Sequence, residues 1–177
     1  MSEPSIRVVA DAATLADRVR EVARELQQSL REDDPLLLGI LWGSEVFLAD
    51  LIRALDFPVR YEFLRVEYAP DSGAPETVTA IHFPIPVDVR DQHVVVVKGV
   101  VASGITEAYL SSQLRDRGAA SVRFVALADL ADERKTYFAP DFRAFMLHRA
   151  GRLVGYGLKG DDGRLGSLPY LGETARD

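Results

Sequence analysis

Ser103-Gly104-Ile105-Thr106 follows a valine-rich run, Val94 to Val97 and Val100 to Val101, and leads into Glu107-Ala108-Tyr109-Leu110. Two hydroxyls and a glycine at the start of a helical segment make a turn whose backbone amides converge on an anion, with the helix dipole assisting. A glycine there also removes a side chain that would block close approach of a ligand. The chemistry expected of Ser103, Gly104, Ile105 and Thr106 is therefore phosphate binding. Ser103 has no evident His-Asp relay, so a phosphate-contacting hydroxyl is a better assignment than a nucleophile. Glu107 reads as a stabiliser of the helix start and Tyr109 as a packing residue.

The elements that must position this turn can be read on either side of it. The valines predict a strand buried on both faces, Ile105 to Arg117 a helix stopped by Gly118, and Ser121 to Leu127 the next strand. Such a β-α-β unit implies a parallel sheet. A second unit precedes it. Leu36 to Leu41 predicts a buried strand, and Ser44 can cap a helix whose apolar face is Phe47, Leu48, Leu51, Ile52 and Leu55. The Gly43 and Gly104 turns should then meet at the carboxyl ends of the strands, where ligands bind in open parallel sheets. Leu15, Val19, Val22, Leu26 and Leu30 predict an amphipathic first helix capped by Asp11. Val59 to Val66 and Thr77 to Phe83 read as strands flanking a mobile loop, Tyr68 to Glu76, and residues 173–177 as a frayed tail.

With 177 residues the chain is the size of one domain, 1–177. Its 27 acidic against 21 basic side chains, a formal net charge of −6, argue against nucleic acid as the main partner. It has no cysteine, which excludes disulfides and thiolate metal sites. No signal peptide or membrane-length apolar segment is evident, so the expected compartment is the cytoplasm. His82, His93 and His148 lack a recognised metal-ligand spacing and read as structural or surface residues.

Several segments together resemble the type I phosphoribosyltransferases, and within them the hypoxanthine-guanine branch. Val94 to Thr106 has the frame of that family's motif for 5-phosphoribosyl 1-pyrophosphate (PRPP). Gly39 to Leu51 is similar to its Leu-Lys-Gly-Gly segment and following helix, and Asp88 to His93 to the lead-in of the PRPP strand. Leu114 to Arg123 resembles the helix end and next strand. Val154 to Leu158 and Leu168 to Gly172 resemble the nucleobase-site strand and closing segment. The resemblance implies an α/β fold with a central, mostly parallel twisted sheet flanked by helices, a small C-terminal hood, a lid in the loop before Thr77, and a homodimer or other homo-oligomer.

Residue by residue, the resemblance also implies that the charged chemistry has been replaced. The two adjacent acids that hold the ribose hydroxyls, directly or through magnesium, fall on Lys98 and Gly99. The aspartate that serves as the expected proton acceptor falls on Ala102, the purine-selecting lysine on Leu130, and the base-stacking aromatic on Arg152, beside Leu153. The metal-binding aspartate falls on Lys159, and the lysine of Leu-Lys-Gly-Gly on Trp42, beside Gly43. Arg164 lies one residue away from register with the pyrophosphate-contacting arginine. Asp161 and Asp162 are the carboxylates nearest in sequence to Lys159.

The expectation is a homologue that has lost transfer and binds a phosphate-bearing small molecule or nucleotide without a cofactor, in a regulatory or scaffolding role. Lys98, Lys159 and Arg152 would supply positive charge where a metal sat, unless they are merely solvated strand-end charges. Trp42 reads as a packing residue, with covering a base or sugar as the alternative. The rivals are an active purine phosphoribosyltransferase that recruits magnesium ligands from elsewhere, and an oligomeric scaffold with an empty pocket.

Overall fold

The valine run becomes a strand in the middle of a six-stranded sheet, because nearly every residue of it is apolar and can be covered from both sides. In the computed structural model, residues 5–68, 78–82, 87–148, 151–160 and 163–175 are described. In chain order the elements are β1 (Ile6–Ala10), α1 (Ala12–Leu30), β2 (Leu36–Leu41), α2 (Glu45–Ala54), β3 (Arg60–Tyr68) and β4 (Val78–His82). Then come β5 (His93–Val101), α3 (Ile105–Asp116), β6 (Ser121–Leu130), β7 (Phe142–Leu147), β8 (Arg152–Val154) and β9 (Leu171–Thr174). The large sheet runs β4-β3-β2-β5-β6-β7, parallel throughout except for β4.

Alternate residues of the strands enter two cores. Leu37, Val95, Val97, Val125 and Leu127 meet α1 and α2 on one face. Leu36, Leu38, Val94, Val96 and Phe124 meet Leu110 and Leu114 of α3 on the other. Period-two side-chain alternation on strands covered from both sides is what makes the sequence read as continuous apolar runs. Asp11 caps α1 as expected, its carboxylate accepting the Thr14 amide at 2.8 Å. Ser44 precedes α2 but does not cap it with its side chain. Its buried hydroxyl turns back to donate to the Ile40 carbonyl at 2.8 Å.

The hood is a three-stranded antiparallel sheet, β1-β9-β8, so it draws on the amino-terminal strand as well as the carboxyl-terminal segment. This corrects the expectation of a tail beginning at residue 173. Glu173 and Thr174 are paired with β1 and β8, and Glu173 accepts from Arg7 Nε at 2.7 Å and from the Gly151 amide at 3.2 Å. The loop expected between β3 and β4 falls at residues 69–77, outside the described residues.

Between β8 and β9 the chain makes a tight excursion in which Gly155, Tyr156 and Gly157 all have positive φ. The Tyr156 hydroxyl crosses to α2 and donates to Asp50 Oδ2 at 2.5 Å. Burial, then the bond to Asp50, pushes the phenol pKa well above its ordinary value. A raised folded-state pKa contributes stability below the unfolded value of about 10 that is lost as pH rises past it. Tyr156→Phe should therefore cost about 1.5–3 kcal/mol at neutral pH. The gap to the parent should narrow above about pH 10, as read by denaturant unfolding at both pH values. Equal stability at neutral pH would refute the assignment.

Candidate nucleotide cleft

The carboxyl ends of β2, β3, β5 and β6 open into a cleft of about 1360 Å³, closed on another side by the hood. Trp42, Gly43, Lys98, Gly99, Leu130, Arg152, Leu153 and Lys159 all line it, so residues scattered over more than a hundred positions converge on one cleft. Ala102 is there too. The 103–106 turn is not part of this lining.

That turn is held from behind. Ser103 and Thr106 are buried, and the Ser103 hydroxyl accepts the Ile105 amide at 3.2 Å. The Ser103 carbonyl accepts from the Lys135 amide at 2.9 Å. Gly104 has φ 82°, and a Cβ there would lie 2.5 Å from Thr136 Oγ1 and 3.1 Å from Arg134 Cδ. The glycine is therefore required by the left-handed backbone and by the 134–138 segment packed against it, rather than by close approach of a ligand. Arg134 fastens the arrangement: Nη1 donates to the Ala102 carbonyl at 2.9 Å while Nη2 pairs with Asp129. Asp129, 2% exposed, also accepts from Arg143 Nη1 at 3.0 Å.

Lys98 departs most from its expected role. Its ammonium pairs with Glu107, whose carboxylate is 1% exposed in the first turn of α3. The positive charge meant to face a phosphate is thus largely cancelled inside the protein. From sequence, Glu107 reads only as a helix-start residue. Opposite charges flanking the turn, nine residues apart, were the available signal, but their pairing needs the strand-to-helix reversal.

Gly99 is closed by backbone. A Cβ there would run into the Gly43 carbonyl oxygen and come within 2.8 Å of Leu158 Cδ2. Trp42 is 67% exposed rather than packed, with the Lys159 ammonium 4.6 Å from its ring centroid, a cation–π geometry. Leu130 and Leu153 are buried at the cleft wall, and Arg152 is exposed at its rim. Tyr109, expected to pack, is exposed on α3. His82 Nε2 lies 3.1 Å from Glu67, His93 Nδ1 2.8 Å from the Ser121 hydroxyl, and His148 Nδ1 3.4 Å from Asp132.

The described donor set does not fit the magnesium that the resemblance implies. Lys98 brings an ammonium, Gly99 no side chain, Ala102 a methyl group and Lys159 a second ammonium. Among the described residues no group of three His, Cys, Asp or Glu side chains is placed to hold a metal ion. Asp161 and Asp162 lie outside the described residues. Among the described residues, no helix is long and apolar enough to cross a membrane.

Comparison with known proteins agrees with this architecture. The chain is 30% identical over 166 residues to the hypoxanthine-guanine phosphoribosyltransferase of Bacillus subtilis strain 168, covering 94% of this chain and 91% of that protein. A mutant hypoxanthine phosphoribosyltransferase of Trypanosoma cruzi, solved as a ternary substrates complex, superposes with a TM-score of 0.85 at 28% identity, covering 96% of this chain and 95% of that one. A Bacillus anthracis hypoxanthine-guanine phosphoribosyltransferase shares the fold, with a TM-score of 0.88 at 23% identity over 98% of this chain and 100% of that one. The family model described as a phosphoribosyl transferase domain matches residues 8–159, and the chain belongs to that family, in its hypoxanthine-guanine branch.

Proposed function

We propose that this phosphoribosyltransferase-family protein binds a phosphate-bearing purine nucleotide in the cleft, without magnesium, and acts as a binding or regulatory protein rather than a transferase. The observation that carries this reading is the Lys98–Glu107 ion pair, which puts an internally compensated cation where the resemblance places an acidic ligand. With Lys98 compensated by Glu107, the cationic side chains of Arg65, Arg152 and Lys159 still outnumber the acidic Glu67 and Glu133 among the described lining residues, which suits an anionic ligand. Ser103, Gly104, Ile105 and Thr106 remain the proposed phosphate turn, next in sequence to Ala102 at the cleft wall. The expected compartment is the cytoplasm, and the expected assembly a homo-oligomer.

A second reading is favoured by the similarity over nearly the full length to enzymes named hypoxanthine-guanine phosphoribosyltransferase. On that reading the protein is an active purine salvage enzyme with a rearranged site, and magnesium would be its cofactor. The two separate in one assay. Loss of electrophilic assistance, several kcal/mol, and of the proton acceptor, roughly 10²–10⁴-fold, should leave turnover of PRPP with hypoxanthine or guanine at least about 10⁴-fold below an active relative. Guanosine 5′-monophosphate should nevertheless bind saturably with chelator present. A robust steady-state rate abolished by chelation would establish the enzyme instead. Absence of binding together with a stable oligomer would point to a scaffold.

A further inference from the structure

Two strand-to-helix turns stand at the carboxyl end of the sheet, one leading into α2 and one into α3. The first lines the cleft through Trp42 and Gly43, the second through Ala102. Two of the first turn's donors are already engaged. The Gly43 amide donates to Glu45 Oε2 at 2.5 Å, the Ser44 hydroxyl turns inward to the Ile40 carbonyl, and the Gly43 carbonyl is packed against Gly99. The partial positive charge at the start of α2 therefore faces a carboxylate from its own first turn.

We infer that Glu45 is an internal anion, held on the Gly43 amide of the 42–44 turn, that restricts the cleft to ligands with a single phosphate group. A purine nucleoside monophosphate is admitted; inorganic pyrophosphate and pyrophosphate-bearing sugar phosphates are rejected. A second phosphate brought to the Gly43 amide would have to displace the carboxylate or lie beside it. Like charges at such separation near a protein surface penalise binding by on the order of tenfold to a hundredfold or more. The selectivity rests on the nucleotide-binding reading above, while the Glu45 contact is a separate observation.

The test is calorimetric titration of guanosine 5′-monophosphate and of inorganic pyrophosphate, with chelator present, into the parent, Glu45→Gln and Glu45→Ala proteins. Glu45→Gln retains an amide oxygen that can accept from Gly43 while removing the charge; Glu45→Ala removes both. Melting curves check that each is folded. The parent should bind the monophosphate at least about tenfold more tightly than pyrophosphate, and the variants should gain about tenfold or more for pyrophosphate. Monophosphate affinity should stay within about threefold. Pyrophosphate binding the parent as tightly as the monophosphate, or gaining nothing in the folded variants, would overturn the role of Glu45 and leave the nucleotide site standing. Failure of the monophosphate to bind any of the proteins would overturn the site itself, and the inference with it.

Discussion

Lys98→Glu should destabilise the protein by about 3–5 kcal/mol, because it replaces the partner of a buried carboxylate with a like charge. Glu107 is almost wholly enclosed and Lys98 is only 18% exposed, so neither can turn fully into solvent to escape the other. Glu107→Gln in the Lys98→Glu background should recover much of the loss, since a neutral amide can donate to the new carboxylate. The reversed pair, Lys98→Glu with Glu107→Lys, should recover more. Denaturant unfolding of the single and double variants forms a cycle whose coupling energy reports the pair directly. If Lys98→Glu unfolds at the parent midpoint, the pair is not formed in solution. An acid at position 98 alone would therefore meet the Glu107 carboxylate rather than rebuild a metal site.

Asp129→Ala is expected to cost about 3 kcal/mol and to loosen the 103–106 turn as well. The carboxylate joins two arginines at the end of β6, and through Arg134 it reaches the Ala102 carbonyl. Arg143 is partly exposed and can rehydrate; Arg134 is mostly enclosed and would be left with an uncompensated charge beside the Phe138 ring. Hydrogen exchange should show faster amides at residues 102–105 before any global loss of protection. Unchanged exchange in this turn, with stability within about 0.5 kcal/mol of the parent, would remove Asp129 from its supporting role.

The sheet was legible because its signal is local and repeated. The valines of β5 and the leucines of β2 had to be buried on both faces, and the glycines after them marked where each chain turned into a helix. Asp11 could be identified as a cap from its place before an apolar helical stripe. The pairing of Glu107 with Lys98 was not legible, because neither residue's type declares its direction and the partners meet only across a turn. Ser44 was misread for a related reason: a serine before a helix has a local use as a cap, but the nearby Ile40 carbonyl competes for its hydroxyl. Trp42 was read by the average burial of tryptophan, whereas Lys159, brought over from beyond the hood strand β8, gives its exposed ring a charged partner. Family resemblance pointed to Gly99 as a changed position; only three-dimensional contact revealed that it is blocked by Gly43.

The hood joins Ile6–Ala10 to Leu171–Thr174, so one wall of the cleft depends on contacts of nearly the greatest sequence separation available in this chain. During synthesis, β1 has to wait until β9 has emerged before the two can pair, whereas β2, β5 and β6 can begin assembling earlier. Arg152 and Leu153 consequently reach their places at the cleft wall late. A nascent chain halted before residue 171 would carry the floor of the cleft without its assembled roof, so the cleft would take its full shape only once β9 has been made.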